Sequence, residues 1–154
     1  MRITQNDEEI TILIAEDDDG HASLITSALK EAGLLNPMLR FRDGQEALDF
    51  LFQKGPGPHR EPGRSYLLLL DIRMPRVDGV QTLAAIKQDP VLKELPVIML
   101  TTTDDPQEIQ ACYRQGCNCY VTKPVEFNAF TESLNRVGLF LRVVRVPHIN
   151  GEPE

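Results

Sequence analysis

The chain has 154 residues, of which 42% are hydrophobic and 25% charged, and its formal net charge is −7. That length suits one domain able to bury roughly 70% of its unfolded surface. The acidic balance excludes a broad nucleic-acid footprint, which needs a basic face, and no run approaches the ~20 apolar residues of a membrane span.

Residues 1–9, within MRITQNDEEI, are acidic and polar and read as an N-terminal extension rather than a secretory signal, so a cytoplasmic protein is expected. ITILIA (10–15) is a short, β-branched, apolar run followed at once by EDDD. Such a run predicts a strand buried on both faces, as in a parallel sheet. GHASLITSALKEAG places Leu24, Ile25, Ala28, Leu29 and Ala32 at helical spacing, with Gly33 as a stop. PMLRF (37–41) is a weaker strand, and DGQEALDFLFQ resumes the helical spacing at Ala47, Leu48, Leu51 and Phe52. KGPGPHREPGRS (54–65) is too rich in proline and glycine for a helix or central strand and predicts a long surface loop.

YLLLL then opens a strand that ends on Asp71. DGVQTLAAIKQDP predicts a helix with Val80, Leu83, Ala84 and Lys87 along it, and LPVIMLT (95–101) a buried strand. DDPQEIQACYRQG predicts a helix with Pro106 in its first turn and Gly116 past its end. CYVT (119–122) is a short strand, and PVEFNAFTESLNRVGLFLRVV a final amphipathic helix. Residues 10–144 therefore read as one domain and 145–154 as a frayed tail. Cys112, Cys117 and Cys119 form neither a CxxC pair nor a site with a nearby histidine, and they read as reduced, semi-buried thiols.

Five β-α alternations predict an α/β fold with an open, doubly wound parallel sheet and helices on both faces. Ligand sites in such sheets lie at the carboxyl ends of the strands. Those ends carry Glu16 and Asp17, then Asp71, then Thr101, Thr102 and Thr103, then Lys123. Crowded carboxylates repel one another, and a hard divalent cation relieves the repulsion. Mg²⁺ suits these oxygen ligands, with Mn²⁺ as the alternative. A carboxylate in Asp71's position can attack phosphorus, while Lys123 and the Thr101 hydroxyl offset charge on the phosphoryl oxygens.

ILIAEDD, LLLLDIRMPRVDG, PVIMLTTT and YVTKPV, in that order and over residues 10–142, resemble the receiver domain of two-component response regulators. The resemblance implies the flavodoxin-like (βα)5 fold with strand order 2-1-3-4-5. It implies Asp71 as phosphoacceptor, and Glu16, Asp17, Asp71 and the backbone carbonyl of Arg73 as metal ligands. Thr101, Tyr120 and Lys123 match the switch hydroxyl, the switch aromatic and the phosphoryl-binding lysine, with Arg73 and Thr103 as modulating positions. It also implies a cis peptide at Lys123-Pro124.

The proline- and glycine-rich loop, DPVLKELPVIMLTTT and FLRVVRVP are similar to single-domain regulators paired with bacterial phytochrome histidine kinases. The implied partner is a sensor histidine kinase, in this finer reading a bacteriophytochrome, and no nucleic acid. Only a short tail follows the receiver, so no DNA-binding output domain is expected. VGLFLRVVRV is too apolar for a solvated helix end and predicts a homodimer through helix 4, strand 5 and helix 5. Two alternatives compete: an aspartyl-phosphate phosphohydrolase and a phosphorylation-independent scaffold. The first commonly needs an acid two residues past the nucleophile. That position holds Arg73, a cation expected to pair with Glu16 or the phosphoryl group.

Overall fold

Every residue of Tyr66–Asp71 is buried, as continuous apolar runs must be when a sheet is covered on both faces. This strand (β3) is central. A computed structural model describes residues 4–5, 8–31, 33–101, 105–122 and 132 of the chain. Thr11–Ala15 (β1), Met38–Phe41 (β2), Val97–Thr101 (β4) and Cys119–Thr122 (β5) join β3 in one sheet of order β2-β1-β3-β4-β5. All four pairings are parallel, giving the expected 2-1-3-4-5 order. The crossovers carry Asp19–Glu31 (α1), Gly44–Leu51 (α2), Gly79–Gln88 (α3) and Pro106–Arg114 (α4). The final helix expected after Lys123 lies outside the described residues. Thr4–Gln5 and Glu8–Glu9 pair antiparallel ahead of the sheet, within the expected N-terminal extension.

Alternation along the strands divides the core into two layers. Leu13, Ala15, Leu68, Leu70, Val97 and Met99 point to one face, where α2, α3 and α4 contribute Phe50, Leu51, Leu83, Ile86 and Cys112. Ile12, Ile14, Leu67, Leu69, Ile98 and Leu100 point to the other, against Ile25, Ala28 and Leu29 of α1. Each buried aliphatic side chain contributes about 1.5–3 kcal/mol relative to exposure.

The helices begin where local chemistry provides a cap. Asp43 accepts from Glu46 N–H at the start of α2. Asp78 and Gln81 form a reciprocal capping box on α3. Asp105 precedes Pro106, the first residue of α4. At the far end of α4, Gly116 takes a positive φ of 99°. Its N–H donates to Tyr113 O, and Cys117 N–H donates to Cys112 O. This Schellman closure packs the third-last and second-following positions together, here Cys112 and Cys117.

Helical faces differ in detail from the sequence reading. On α3 the fully buried positions are Gly79, Thr82, Leu83 and Ile86, whereas Val80, Ala84 and Lys87 are partly exposed. Thr82 tolerates burial because its hydroxyl donates to Asp78 O at 2.7 Å. Residues 54–65 form the expected loop, yet Arg60 within it is buried. Its Nε donates to Leu51 O at 2.7 Å and so caps the C-terminus of α2.

Candidate functional site

The sheet register brings the acidic residues together. Ala15 pairs with Leu70, so Glu16 leaves β1 beside Asp71, the last residue of β3. Glu16, Asp17 and Asp71 each place a carboxylate oxygen within 4.8 Å of the others. Glu16 is 1% exposed and Asp71 8%, while Asp17 is open to solvent. Oδ1 of Asp71 accepts from the N–H of Ile72 at 2.9 Å, which fixes the carboxylate against its own strand end. Three hard oxygen donors with an exposed mouth fit a divalent cation of the Mg²⁺ or Mn²⁺ class.

The β1–α1 loop is held from two sides. Asp18 accepts from His21 N–H at 2.8 Å, and this bond holds its carboxyl below the usual range. Its own N–H donates to Glu16 Oε1 at 3.3 Å, and His21 Nδ1 lies 3.6 Å from the same oxygen. From β2, Arg40 donates to the carbonyls of Glu16 and Asp17 and to Oδ1 of Asp19. Hydrogen bonding to Arg40, aided by the charge of Arg42, keeps the Asp19 carboxyl low. Neither Arg40 nor His21 stood out in the sequence. The only trace of Arg40's role is a cation interrupting the apolar strand MLRF, whose nearness to the acidic loop appears only once β2 is placed beside β1.

The loop after Asp71 is equally constrained. Gly79 N–H donates to Ile72 O at 2.7 Å. A Cβ at Gly79 would strike the Asp71 carbonyl oxygen and lie 2.6 Å from Ile72 Cα, so only glycine allows α3 to begin this close to the strand end. Arg76, at a positive φ of 63°, forks onto Asp43 with bonds of 2.8 and 3.0 Å. The fork ties this loop to the cap of α2. Arg73 forms its ion pair with Glu108 of α4, at 3.6 Å, a partner that the sequence reading did not name. The acidic loop is already engaged by Arg40, whereas α4 presents Glu108 across the mouth of the site.

Thr101 ends β4, with its backbone in register with Thr122 and one step beyond the Asp71–Leu100 pair. Tyr120 lies on β5 opposite Met99 and is half-buried against the α2–α3–α4 layer. Lys123, with the expected cis peptide after it, and Thr103 lie outside the described residues. Cys112 and Cys117 are buried and Cys119 half-buried, all as free thiols. No helix among the described residues is long and apolar enough to cross a membrane.

Comparison with known proteins agrees with this geometry. Residues 12–135 match the family described as the response regulator receiver domain. Response regulator Rcp1 of Synechocystis sp. is 38% identical over 112 residues, covering 73% of this chain and 75% of that protein. A receiver domain from Rhodospirillum rubrum superposes with a TM-score of 0.82 at 42% identity, covering 92% of this chain and 99% of that one. The Mn²⁺-bound form of Rcp1 superposes at 0.76 and 33% identity, over 89% and 98% of the two chains. The phosphorylated cyanobacterial phytochrome response regulator RcpA does so at 0.77 and 31%, over 89% and 97%.

Proposed function

The chain belongs to the response regulator receiver family, and on that premise we propose that Asp71 accepts a phosphoryl group from a sensor histidine kinase. The observation that carries this reading is the convergence of Glu16, Asp17 and Asp71 at adjoining strand ends. In the transfer, a carboxylate oxygen of Asp71 forms the new O–P bond as the P–N bond to the donor imidazole breaks. The imidazole leaves with a proton and Asp71 becomes an aspartyl-phosphate. A divalent cation, Mg²⁺ or Mn²⁺, supplies charge neutralisation at the phosphoryl oxygens when bound. Glu16, Asp17, Asp71 and the Arg73 backbone carbonyl are the residues that would hold it. The Mn²⁺-bound form of the similar Rcp1 supports a divalent cation. Lys123 and the Thr101 hydroxyl complete the phosphoryl-binding set, and Tyr120 acts as the switch aromatic.

The protein acts as a signalling module: phosphorylation shifts a two-state equilibrium in the face that includes α4 and β5. Residues of that face, among them half-exposed Tyr113 of α4, form the homodimer contact. The similarity to RcpA, a phytochrome response regulator in phosphorylated form, supports a bacteriophytochrome as the kinase.

The test is incubation with a small acyl-phosphate donor, with and without Mg²⁺, read by intact mass and by light scattering on the same samples. A Mg²⁺-dependent phosphoryl adduct that is absent in Asp71→Asn, together with a dimer mass, is expected. An adduct that persists in Asp71→Asn overturns the phosphoacceptor assignment. A monomer mass in every sample overturns the dimer.

A further inference from the structure

We propose that Arg40 is a positioning residue for the acidic cation site, holding the β1–α1 loop from the edge strand β2 so that Glu16 and Asp17 converge on Asp71. The inference rests on the reading of those three carboxylates as the cation site.

The guanidinium makes four hydrogen bonds. Nε and Nη2 both donate to Glu16 O, at 3.1 and 2.9 Å. Nη2 also donates to Asp17 O at 3.2 Å, and Nη1 donates to Asp19 Oδ1 at 2.6 Å. Three of the four bonds therefore go to main-chain carbonyls of the two residues whose side chains meet Asp71. The two carbonyls lie in the peptide planes on either side of Asp17, and the first of them together with the Glu16 N–H bond to Phe41 O brackets Glu16, so the directions in which both Cβ atoms leave the chain are fixed. The anchor is itself rigid. Arg40 is in register with Ile14 of β1, and Glu16 N–H donates to Phe41 O at 3.0 Å. The loop is thus tied to β2 through both its N–H and its C=O groups.

The charge pattern calls for such a clamp. Glu16, Asp17, Asp18 and Asp19 are consecutive acids whose mutual repulsion favours splaying the loop when no cation is bound. Arg40 offsets this without occupying the carboxylates of Glu16 or Asp17, because its side-chain partner among the described residues is Asp19. Arg42 pairs with the same Asp19 oxygen at 3.0 Å and makes no bond to the main chain of the loop. It supplies charge without the clamp, which makes it the natural control. Lysine at position 40 would keep the charge and the stem but could not span these acceptors, since its donors radiate from one nitrogen.

The experiment titrates the full chain with Mn²⁺, read by the paramagnetic resonance signal of the free ion, and with Mg²⁺ by calorimetry. The samples are the parent protein, Arg40→Lys, Arg42→Lys and Asp71→Asn, each well below its unfolding transition. Arg40→Lys is expected to weaken both cations about 10-fold, the usual scale for an outer-shell residue. Arg42→Lys should stay within about twofold of the parent, because net charge is unchanged in both variants. Arg40→Lys binding within about twofold of the parent, while Asp71→Asn binds much more weakly, overturns the clamp and leaves the cation site standing. Asp71→Asn binding as tightly as the parent overturns the cation-site reading, and the clamp falls with it. Because the dissociation constants are measured on folded samples, a merely stabilising role for Arg40 would lower the melting temperature and leave them unmoved.

Discussion

Replacing Gly79 with alanine sets two opposed effects against each other. Alanine is the better helix former by up to about 1 kcal/mol at an interior position, and by less at the first residue of a helix. The added methyl, however, would lie 2.6 Å from Ile72 Cα and 2.8 Å from the Asp71 carbonyl carbon, and closer still to the Asp71 carbonyl oxygen. All three are backbone atoms, so no side chain can rotate away, and α3 must back off from the end of β3. Overpacking of this kind costs about 1–3 kcal/mol. The clash outweighs the propensity gain, leaving a net loss of about 1–2 kcal/mol. A chain of this size melts about 2–4 °C lower per kcal/mol lost. Calorimetry should therefore show a fall of about 2–8 °C. Two of the three crowded atoms belong to Asp71, so the clash strains the strand end as well, and the rate of acyl-phosphate labelling should fall by more than about 10-fold, as misplacing a reacting group by about 1 Å can. A melting temperature equal to or above the parent's, with labelling unchanged, would refute the close-packing argument.

Two further perturbations probe the neighbouring elements. Glu108→Gln releases Arg73 from an exposed ion pair worth at most about 1 kcal/mol. Stability should barely move, while the freed guanidinium pairs with the phosphoryl group and lengthens its half-life by about 2- to 5-fold; a half-life equal to the parent's counts against this. Burial, reinforced by Cys112 and Cys119, pushes the Cys117 thiol from the ordinary 9.0 up to about 11. The folded chain then keeps a proton that the unfolded chain releases between those values. Its contribution is complete below about pH 9 and is lost as pH rises toward about 11. Urea midpoints followed up this limb should fall more steeply for the parent than for Cys117→Ala, and parallel curves would remove the thiol from the account.

Much of this molecule is readable from short-range pattern. Four leucines ending on an aspartate already describe a strand dry on both faces whose last residue reaches an opening. Pro106 at the start of α4 and Gly116 beyond its end follow from spacings within one turn of the helix ends. Such features depend only on φ/ψ preference and on hydrogen bonds within four or five residues, so the local chain is sufficient to specify them. The order of acids, hydroxyls and lysine along the chain likewise singles out Glu16, Asp17 and Asp71, which the structure brings together.

Other features depend on distances that the linear chain does not contain. Arg40 reaches the acidic loop only because β2 lies beside β1 with Ile14 opposite Arg40. Arg73 meets Glu108 because α4 crosses at that side of the mouth. Thr82, instead of Ala84, turns inward on α3 because Gly44 of α2 packs so close that a Cβ there would strike Thr82 Oγ1. The sequence by itself determined which residues could do the chemistry and which strand ends carry them, since those follow from periodicity and residue type. Which cation braces which carboxylate was decided by the tertiary structure alone, because a side chain's partner across a sheet is set by strand order, register and helix placement, and each of these is settled only when the whole core packs.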